Sequence, residues 1–313
     1  MGRPSRANLP ETLQLLEKVA KLYYITDLSQ QKIADQLYLS RPTVTRLLKE
    51  ARKRGIVSIR VGASSGETRN QTYESQLMQR FNLRDAVVVK NEPTVSYSLV
   101  CAEYLDIVLP YTGYVGLGGG NTCFEVAQQL NFCEKRKKLT LVQLSGNPDA
   151  LPDVTIAHKW SSALGCSVSY IMAPLLVQNE VERSRLMENQ SIKATFSAME
   201  KVEMAIVGIG TPIHTLARSD ITPESGIDID EVKKESVGDI IMHFYNSQGQ
   251  FCHPEISCRV IGISTDQYLN IPMRIALAYG SAKAYSIYVA LSGLVNVLIT
   301  DEHTAQKILS YKT

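Results

Sequence analysis

Arg41, Thr43, Thr45, Arg46 and Lys49 stand within nine residues of one another, and they are the side chains that read duplex DNA. Arginine grips guanine through paired hydrogen bonds, threonine meets a thymine methyl or a phosphate, and lysine neutralises backbone charge. Gln30 and Gln31, at the start of a preceding helix, add side-chain and N-terminal N–H donors for phosphate. A second set of residues suits a smaller anion. YVGLGGGNT supplies Gly118, Gly119, Gly120, Asn121 and Thr122, VQLSGN supplies Gln143, Ser145, Gly146 and Asn147, and VGIGT supplies Gly208, Gly210 and Thr211. Glycines bare their backbone N–H groups and a helix start behind the first loop adds partial positive charge, so a phosphate fits there. AYGSAK opens a further helix at Gly280 and Ser281, with Lys283 able to reach the same crevice as a point charge.

The DNA-reading residues need two short helices meeting at a tight turn. Ile33, Ala34 and Leu37 share one face of the first, and Val44, Leu47 and Leu48 share one face of the second. Small Ala34 lets the helices cross closely. Ser40 is placed to cap the second helix, and Pro42 sits in its first turn, where a missing N–H costs nothing. The outward face then carries Ser40, Arg41, Thr43, Thr45, Arg46 and Lys49, with Arg52, Lys53 and Arg54 beyond. Tyr38 stands where many helix-turn-helix sequences place glycine, so the turn Tyr38-Leu39-Ser40 requires a left-handed or otherwise strained tyrosine, or a different path. Upstream, Leu13, Leu16, Val19, Ala20 and Tyr23 form another amphipathic helix, and after Gly55 the run GIVSIRV reads as a strand, a wing beside the motif.

Charge separates this unit from the rest. Residues 1–62 hold 12 Lys and Arg against 5 Asp and Glu, and the remaining chain holds 21 against 26, so a net charge of +2 divides into +7 and −5. That asymmetry favours a nucleic-acid-binding head over an ordinary solvated basic face. RNA is disfavoured, because Tyr23, Tyr24 and Tyr38 are not interleaved with the arginines as a stacking platform. GASSGETRN, residues 62–70, has the composition of a flexible joint. The expected organisation is a DNA-binding domain over 1–61, a linker over 62–72 and a large domain over 73–313.

In that large domain strand and helix patterns alternate, which argues for a mostly parallel sheet covered by helices on both faces. SRLMENQSIKATFSAMEK reads as one long helix, and VGDIIMHFYNSQGQFCH as a hairpin insertion with a turn at Ser247-Gln248-Gly249. The glycine loops follow strands, where ligands of open α/β sheets bind. They lack the acidic residue of a dinucleotide fold and the Lys-Ser/Thr ending of a P-loop, so neither NAD nor ATP is favoured. Six cysteines show no zinc-type spacing and read as buried thiols, and no metal or other cofactor is expected. No stretch reaches membrane-spanning length and no signal-peptide core opens the chain, so a cytoplasmic protein with no membrane partner is expected.

IADQLYLSRPTVTRLLKEARKRGIV, GLGGGNT, VQLSG, VGIG, VGDI and YGSAK followed by ALSGLVNVLITDEHTA, taken in order across the chain, resemble the SorC family of bacterial sugar-metabolism regulators. The resemblance implies an α/β protein: a winged helix-turn-helix, then a Rossmann-like effector domain with the fold of glucosamine-6-phosphate deaminase and ribose-5-phosphate isomerase. It implies a homo-oligomer, dimer or tetramer, that binds operator DNA and responds to a sugar or sugar phosphate. Its motifs match Gly120 and Thr122, Gln143 and Gly146, Gly208 and Gly210, Gly238 and Asp239, and Gly280 with Lys283. Two departures stand out: Gly118 and Gly119 replace a commoner serine and tryptophan, which empties one wall, and Ser145 replaces a lysine found in some members. That removes an amine that could otherwise form an imine with an open-chain sugar, so a non-covalent effector is expected.

The rival expectation is an enzyme, a sugar-phosphate isomerase or deaminase carrying a DNA-binding head. Such chemistry needs a base held near an acid partner. Asp239, Glu255 and Asp301 are not paired by spacing, and His214, His243, His253 and His303 are scattered and read as surface or satisfied histidines. Asp301 and Glu302 suffice as the N-terminal cap of a helix. No catalytic residue is therefore assigned.

Overall fold

The computed structural model describes residues 9–24, 26, 28–53, 68–148, 153–217 and 226–312, which fall into two compact units, Met1–Gly62 and Ala63–Thr313. The first unit holds helices α1 (Leu9–Tyr24), α2 (Gln30–Leu37) and α3 (Arg41–Lys53). Leu16, Val19 and Ala20 of α1, Ile33 and Ala34 of α2, and Val44, Leu47, Leu48 and Ala51 of α3 close into one core, as the stripes require. Ser29 Oγ accepts from the Lys32 N–H at 3.3 Å and Ser40 Oγ from the Thr43 N–H at 3.2 Å, so each helix of the pair starts on a serine cap. The expected strand GIVSIRV, Gly55, Arg54 and the side chains of Leu13, Arg52 and Lys53 lie outside the described residues, as does most of the expected joint.

Tyr38 ends α2 in the left-handed region, φ 54° and ψ 41°, and its ring is 97% exposed. A left-handed L residue costs roughly 1–2 kcal/mol, and no burial offsets it here. Tyr38→Gly is expected to stabilise this unit by roughly 0.5–1 kcal/mol, the relief exceeding glycine's extra chain entropy. Urea denaturation of the full chain checks this, and a lower midpoint for the variant would refute it.

The second unit alternates as expected: α4 (Gln71–Phe81), β1 (Asp85–Val89), α5 (Tyr97–Val108), β2 (Thr112–Leu117), α6 (Asn121–Ala127), β3 (Lys138–Gln143), α7 (Asp153–Leu164), β4 (Ser167–Ser169), α8 (Glu180–Met187), α9 (Gln190–Met199), β5 (Met204–Val207), α10 (Pro212–Leu216), α11 (Ile229–Glu235), β6 (Gly238–Ile240), β7 (His243–Tyr245), α12 (Pro254–Ser257), α13 (Thr265–Leu269), β8 (Met273–Leu277), α14 (Ala284–Ala290), β9 (Val297–Asp301) and α15 (Glu302–Ser310). Seven strands form one sheet in the order β1-β9-β8-β5-β2-β3-β4, every pair parallel. Strand residues divide between two cores with period two. Val87 and Val89 face α5, α6 and α7, while Ala86 and Val88 face α4, α9, α14 and α15. Burial on both faces explains why the strands read as near-continuous apolar runs.

The expected single helix over SRLMENQSIKATFSAMEK is instead two, α8 and α9. Asn189 breaks it, its Oδ1 accepting from the Ser191 N–H at 2.9 Å to start the second. The hairpin insertion also differs. A turn does form near Ser247–Gly249, with the Asn246 N–H donating to the Gln250 carbonyl at 3.0 Å, but β6 and β7 pair antiparallel through an earlier two-residue turn, Ile241-Met242. Both turn residues are left-handed, with φ 53° and 64°.

Chain order runs from β2 outward to β3 and β4, then returns to place β5 on the other side of β2. The loops leaving β2 and β5 therefore diverge, opening a crevice at their carboxyl ends.

Candidate functional site

The cleft at that divergence has a volume of about 360 Å³, within the range of small-molecule sites. Gly118–Gly120 and the helix-opening Asn121 and Thr122 form one wall, and Ser145 and Pro148 come from the loop after β3. Gly208–Thr211 leave β5 and run into His214 and Thr215 on α10; Asp239, Ile241 and Met242 come from the hairpin, Lys283 from the turn before α14, and Leu175 completes the rim. Gly120 adopts φ 98°, a conformation open to glycine, and starts α6 with no side-chain hydrogen bond to its first N–H groups.

Asp239 is the carboxylate among the described residues of this lining, and it is 6% exposed. Thr215 Oγ1 donates to its Oδ1 at 2.5 Å, and the Met242 backbone N–H also reaches it. Burial pushes the carboxyl pKa up from the usual range, against the opposing effects of Thr215, the Met242 N–H and the Lys283 charge. Gly210 makes the arrangement possible. Its N–H donates to the Asp239 carbonyl at 3.0 Å, and a Cβ there would run into the Asp239 carboxylate and Thr215. The turn that brings Ile241 and Met242 to the cleft costs about 1–3 kcal/mol per residue in backbone strain. Thr211 Oγ1 and His214 Nδ1 lie 2.8 Å apart, offering a further polar pair.

Not every expected residue meets the cleft. Gln143, 1% exposed, donates through Nε2 to the Ser145 carbonyl (2.7 Å) and Asn147 Oδ1 (3.0 Å) and accepts from the Ile171 N–H (3.1 Å). Asn147 Nδ2 donates in turn to the Ile171 and Ala173 carbonyls, and the Gly146 N–H to the Ile261 carbonyl. These three residues stand behind the lining as a network that fixes Ser145. Gly280, with φ 97°, donates its N–H to Asp301 Oδ2 at 2.8 Å, so it positions the turn before Lys283 without lining the cleft. Asp301 also accepts from the Thr304 N–H at 3.0 Å as the cap of α15. His243 is buried and its pKa is lowered by that burial; Nε2 lies 2.8 Å from the Ile263 carbonyl, a structural role.

Thr215, His214, Ile241 and Met242 were missed by sequence reasoning. The first two sit one turn into a helix whose start, Thr211-Pro212, is legible. The last two carry no turn signal, since a two-residue hairpin turn normally announces itself by Asn-Gly or Asp-Gly.

In the first unit, Arg41, Pro42, Arg46 and Lys49 are exposed on α3, Arg46 and Lys49 on the face opposite its core and Arg41 in the first turn. Ser40 Oγ lies 2.8 Å from Thr43 Oγ1, so both join the cap. Thr45 Oγ1 donates to Gln30 Oε1 at 2.6 Å, tying α3 to α2, and Gln31 Nε2 donates to Asp35 at 2.9 Å. Among the described residues no helix is long and apolar enough to cross a membrane.

Comparison with known proteins matches both units. A sugar-binding domain family matches residues 67–310 and a Crp-like helix-turn-helix domain residues 13–65. The deoxyribonucleoside regulator of Bacillus subtilis is 30% identical over 312 residues, 96% of this chain and 98% of that protein. The transcriptional regulator LsrR of an Enterobacter strain is 32% identical over 307 residues, 95% of this chain and 93% of that protein. The crystal structure of the full-length sorbitol operon regulator SorC from Klebsiella pneumoniae superposes with a TM-score of 0.69 at 26% identity, covering 97% of this chain and 100% of that one.

Proposed function

The chain belongs to the SorC family and is a DNA-binding, sugar-responsive transcriptional regulator; from that premise we propose that it controls a carbohydrate-catabolism operon through a sugar or sugar-phosphate effector held non-covalently in the Asp239–Lys283 cleft. The observation that carries this reading is the convergence on one cleft of the Gly118–Gly120 and Gly208–Gly210 loops, a lysine and a buried carboxylate. The glycine loop and Lys283 suit the phosphate, and Asp239 suits a sugar hydroxyl. Ser145 in place of a lysine removes one amine that could form an imine, and Lys283 serves the phosphate as a charge. The similar proteins named above are transcriptional regulators, which supports a sensor over an isomerase or deaminase.

Arg41, Arg46 and Lys49 of α3 read the operator, with Ser40, Pro42, Thr43 and Thr45 at the start of the same helix and Gln30 and Gln31 on phosphates. A homo-oligomer, dimer or tetramer, would set two such helices about 34 Å apart on a palindrome. The effector alters DNA affinity by binding one state of the assembly better than another, and a coupling of about 1–3 kcal/mol gives a five- to 150-fold response.

The test is a thermal-shift screen of the full chain against sugars and sugar phosphates, followed by gel shifts on its own promoter with and without each hit. Lys283→Ala is expected to lose most of the effector response while retaining operator binding. Unchanged effector affinity in that variant removes Lys283 from the site. A chain that prefers no promoter DNA over random duplex ends the reading altogether.

A further inference from the structure

The two residues of the Ile241-Met242 turn hold the same unfavourable backbone conformation with different returns. Met242 is 4% exposed and packs with Leu176, Leu216 and Phe244, so its burial sustains it. Ile241 is half-buried and faces the cleft. It is also β-branched, the side-chain class for which positive φ is a true outlier. An Asn-Gly pair would close the same turn without strain. The hairpin nonetheless imposes this geometry, because β6 is bridged to Gly210 and the Tyr245 hydroxyl donates to the Ser286 carbonyl at 2.8 Å. The result is an apolar branched side chain in the cleft wall, two residues from the buried carboxylate of Asp239, in a lining that also holds Ile209 and Leu175.

Resting on the sugar-phosphate reading above, we infer that Ile241 is a specificity-determining residue, an apolar wall that selects a sugar phosphate presenting a bare C–H face beside the hydroxyl held by Asp239. A hydroxyl turned against Ile241 leaves water and finds no partner, whereas a C–H face loses nothing. Discrimination of this kind, at one hydroxyl against an apolar surface, amounts to about 10- to 100-fold in affinity.

The experiment is calorimetric titration of the full chain with two pairs of ligands that differ by one hydroxyl, glucose 6-phosphate against 2-deoxyglucose 6-phosphate and ribose 5-phosphate against 2-deoxyribose 5-phosphate. The expected result is a preference of about tenfold or more for the deoxy member of at least one pair. In Ile241→Asn, which accepts the left-handed conformation and offers an amide to the hydroxyl, that preference collapses to about twofold or less. Ile241→Leu, still apolar, keeps it. Ile241→Thr, which retains the branched shape and adds a hydroxyl, gives the same readout should the asparagine variant not fold. Binding without preference in the wild type, or an undiminished preference in the polar variants, overturns the inference and leaves the sugar-phosphate reading standing. A wild-type chain that binds none of the four overturns the inference, and one that also binds no sugar or sugar phosphate in the thermal-shift screen overturns the reading beneath it.

Discussion

Replacing Arg41 and Arg46 together by alanine lowers specific operator affinity by about 2–6 kcal/mol, enough to bring it near the level of non-specific DNA, while the fold of the first unit survives. Each arginine is exposed on α3, and one base-reading arginine contributes about 1–3 kcal/mol. They stand five positions apart, so they project roughly 140° apart on the helix and their losses add. The core is spared because both side chains are exposed and neither belongs to the cluster of Val44, Leu47 and Leu48. Fluorescence anisotropy against promoter and random duplexes over a salt series measures the effect and distinguishes its cause. If the arginines grip bases, the preference for promoter over random DNA shrinks; if they grip phosphates, binding weakens on both duplexes and the salt slope falls by about one per residue. Operator affinity that survives the double substitution would place the reading surface elsewhere.

The same residues show where sequence sufficed. The head was legible because its core is built from two apolar stripes at helical spacing, closed by a serine cap and a proline in the first turn, and each of those signals is local. Even the difficulty at Tyr38 was legible, since a residue with a Cβ at that turn position has few conformations available. The parallel sheet was legible from alternation alone, because burial on both faces leaves strands nearly wholly apolar. What the sequence could not give was the order of the strands. The return of β5 beside β2 is what brings Gly118 and Gly210 to one crevice, and this is a property of long-range pairing.

The site was legible as loops and not as contacts. Gln143 and Gly146 sit in a strand-end motif that looks like a ligand loop, yet their hydrogen-bonding capacity is spent on Ile171, Ser145 and Ile261. A buried amide that braces a loop and one that faces a ligand have the same sequence. The Ile241-Met242 turn was illegible for the opposite reason: the hairpin frame overrides local preference, and strain that is paid by tertiary structure leaves no turn residue to read.

Asp239→Asn is expected to make the folded body more stable at neutral pH and to cripple its response to effector. Burial raises the folded-state pKa of Asp239 above its unfolded value, which is about 3.9. With the shift in that direction, the stability linked to this group is fully present below about pH 4 and is lost as pH rises through the folded-state value. At neutral pH the wild type has therefore lost stability that asparagine, which does not titrate, keeps, while an amide oxygen in place of Oδ1 still accepts from Thr215 Oγ1. The advantage of the variant should shrink as the pH is lowered through the raised pKa and vanish below about pH 4. Affinity for the effector moves the other way. Loss of a charged acceptor for a sugar hydroxyl costs about 1.5–3 kcal/mol, roughly 10- to 100-fold. Denaturation midpoints across pH, read beside calorimetric titrations at pH 7, test both halves. A variant that is less stable at neutral pH and binds effector as tightly as the wild type would mean that Asp239 is there to hold the hairpin; a variant that is more stable and unresponsive would mean that the buried carboxyl group is kept, at a cost to the fold, for the ligand.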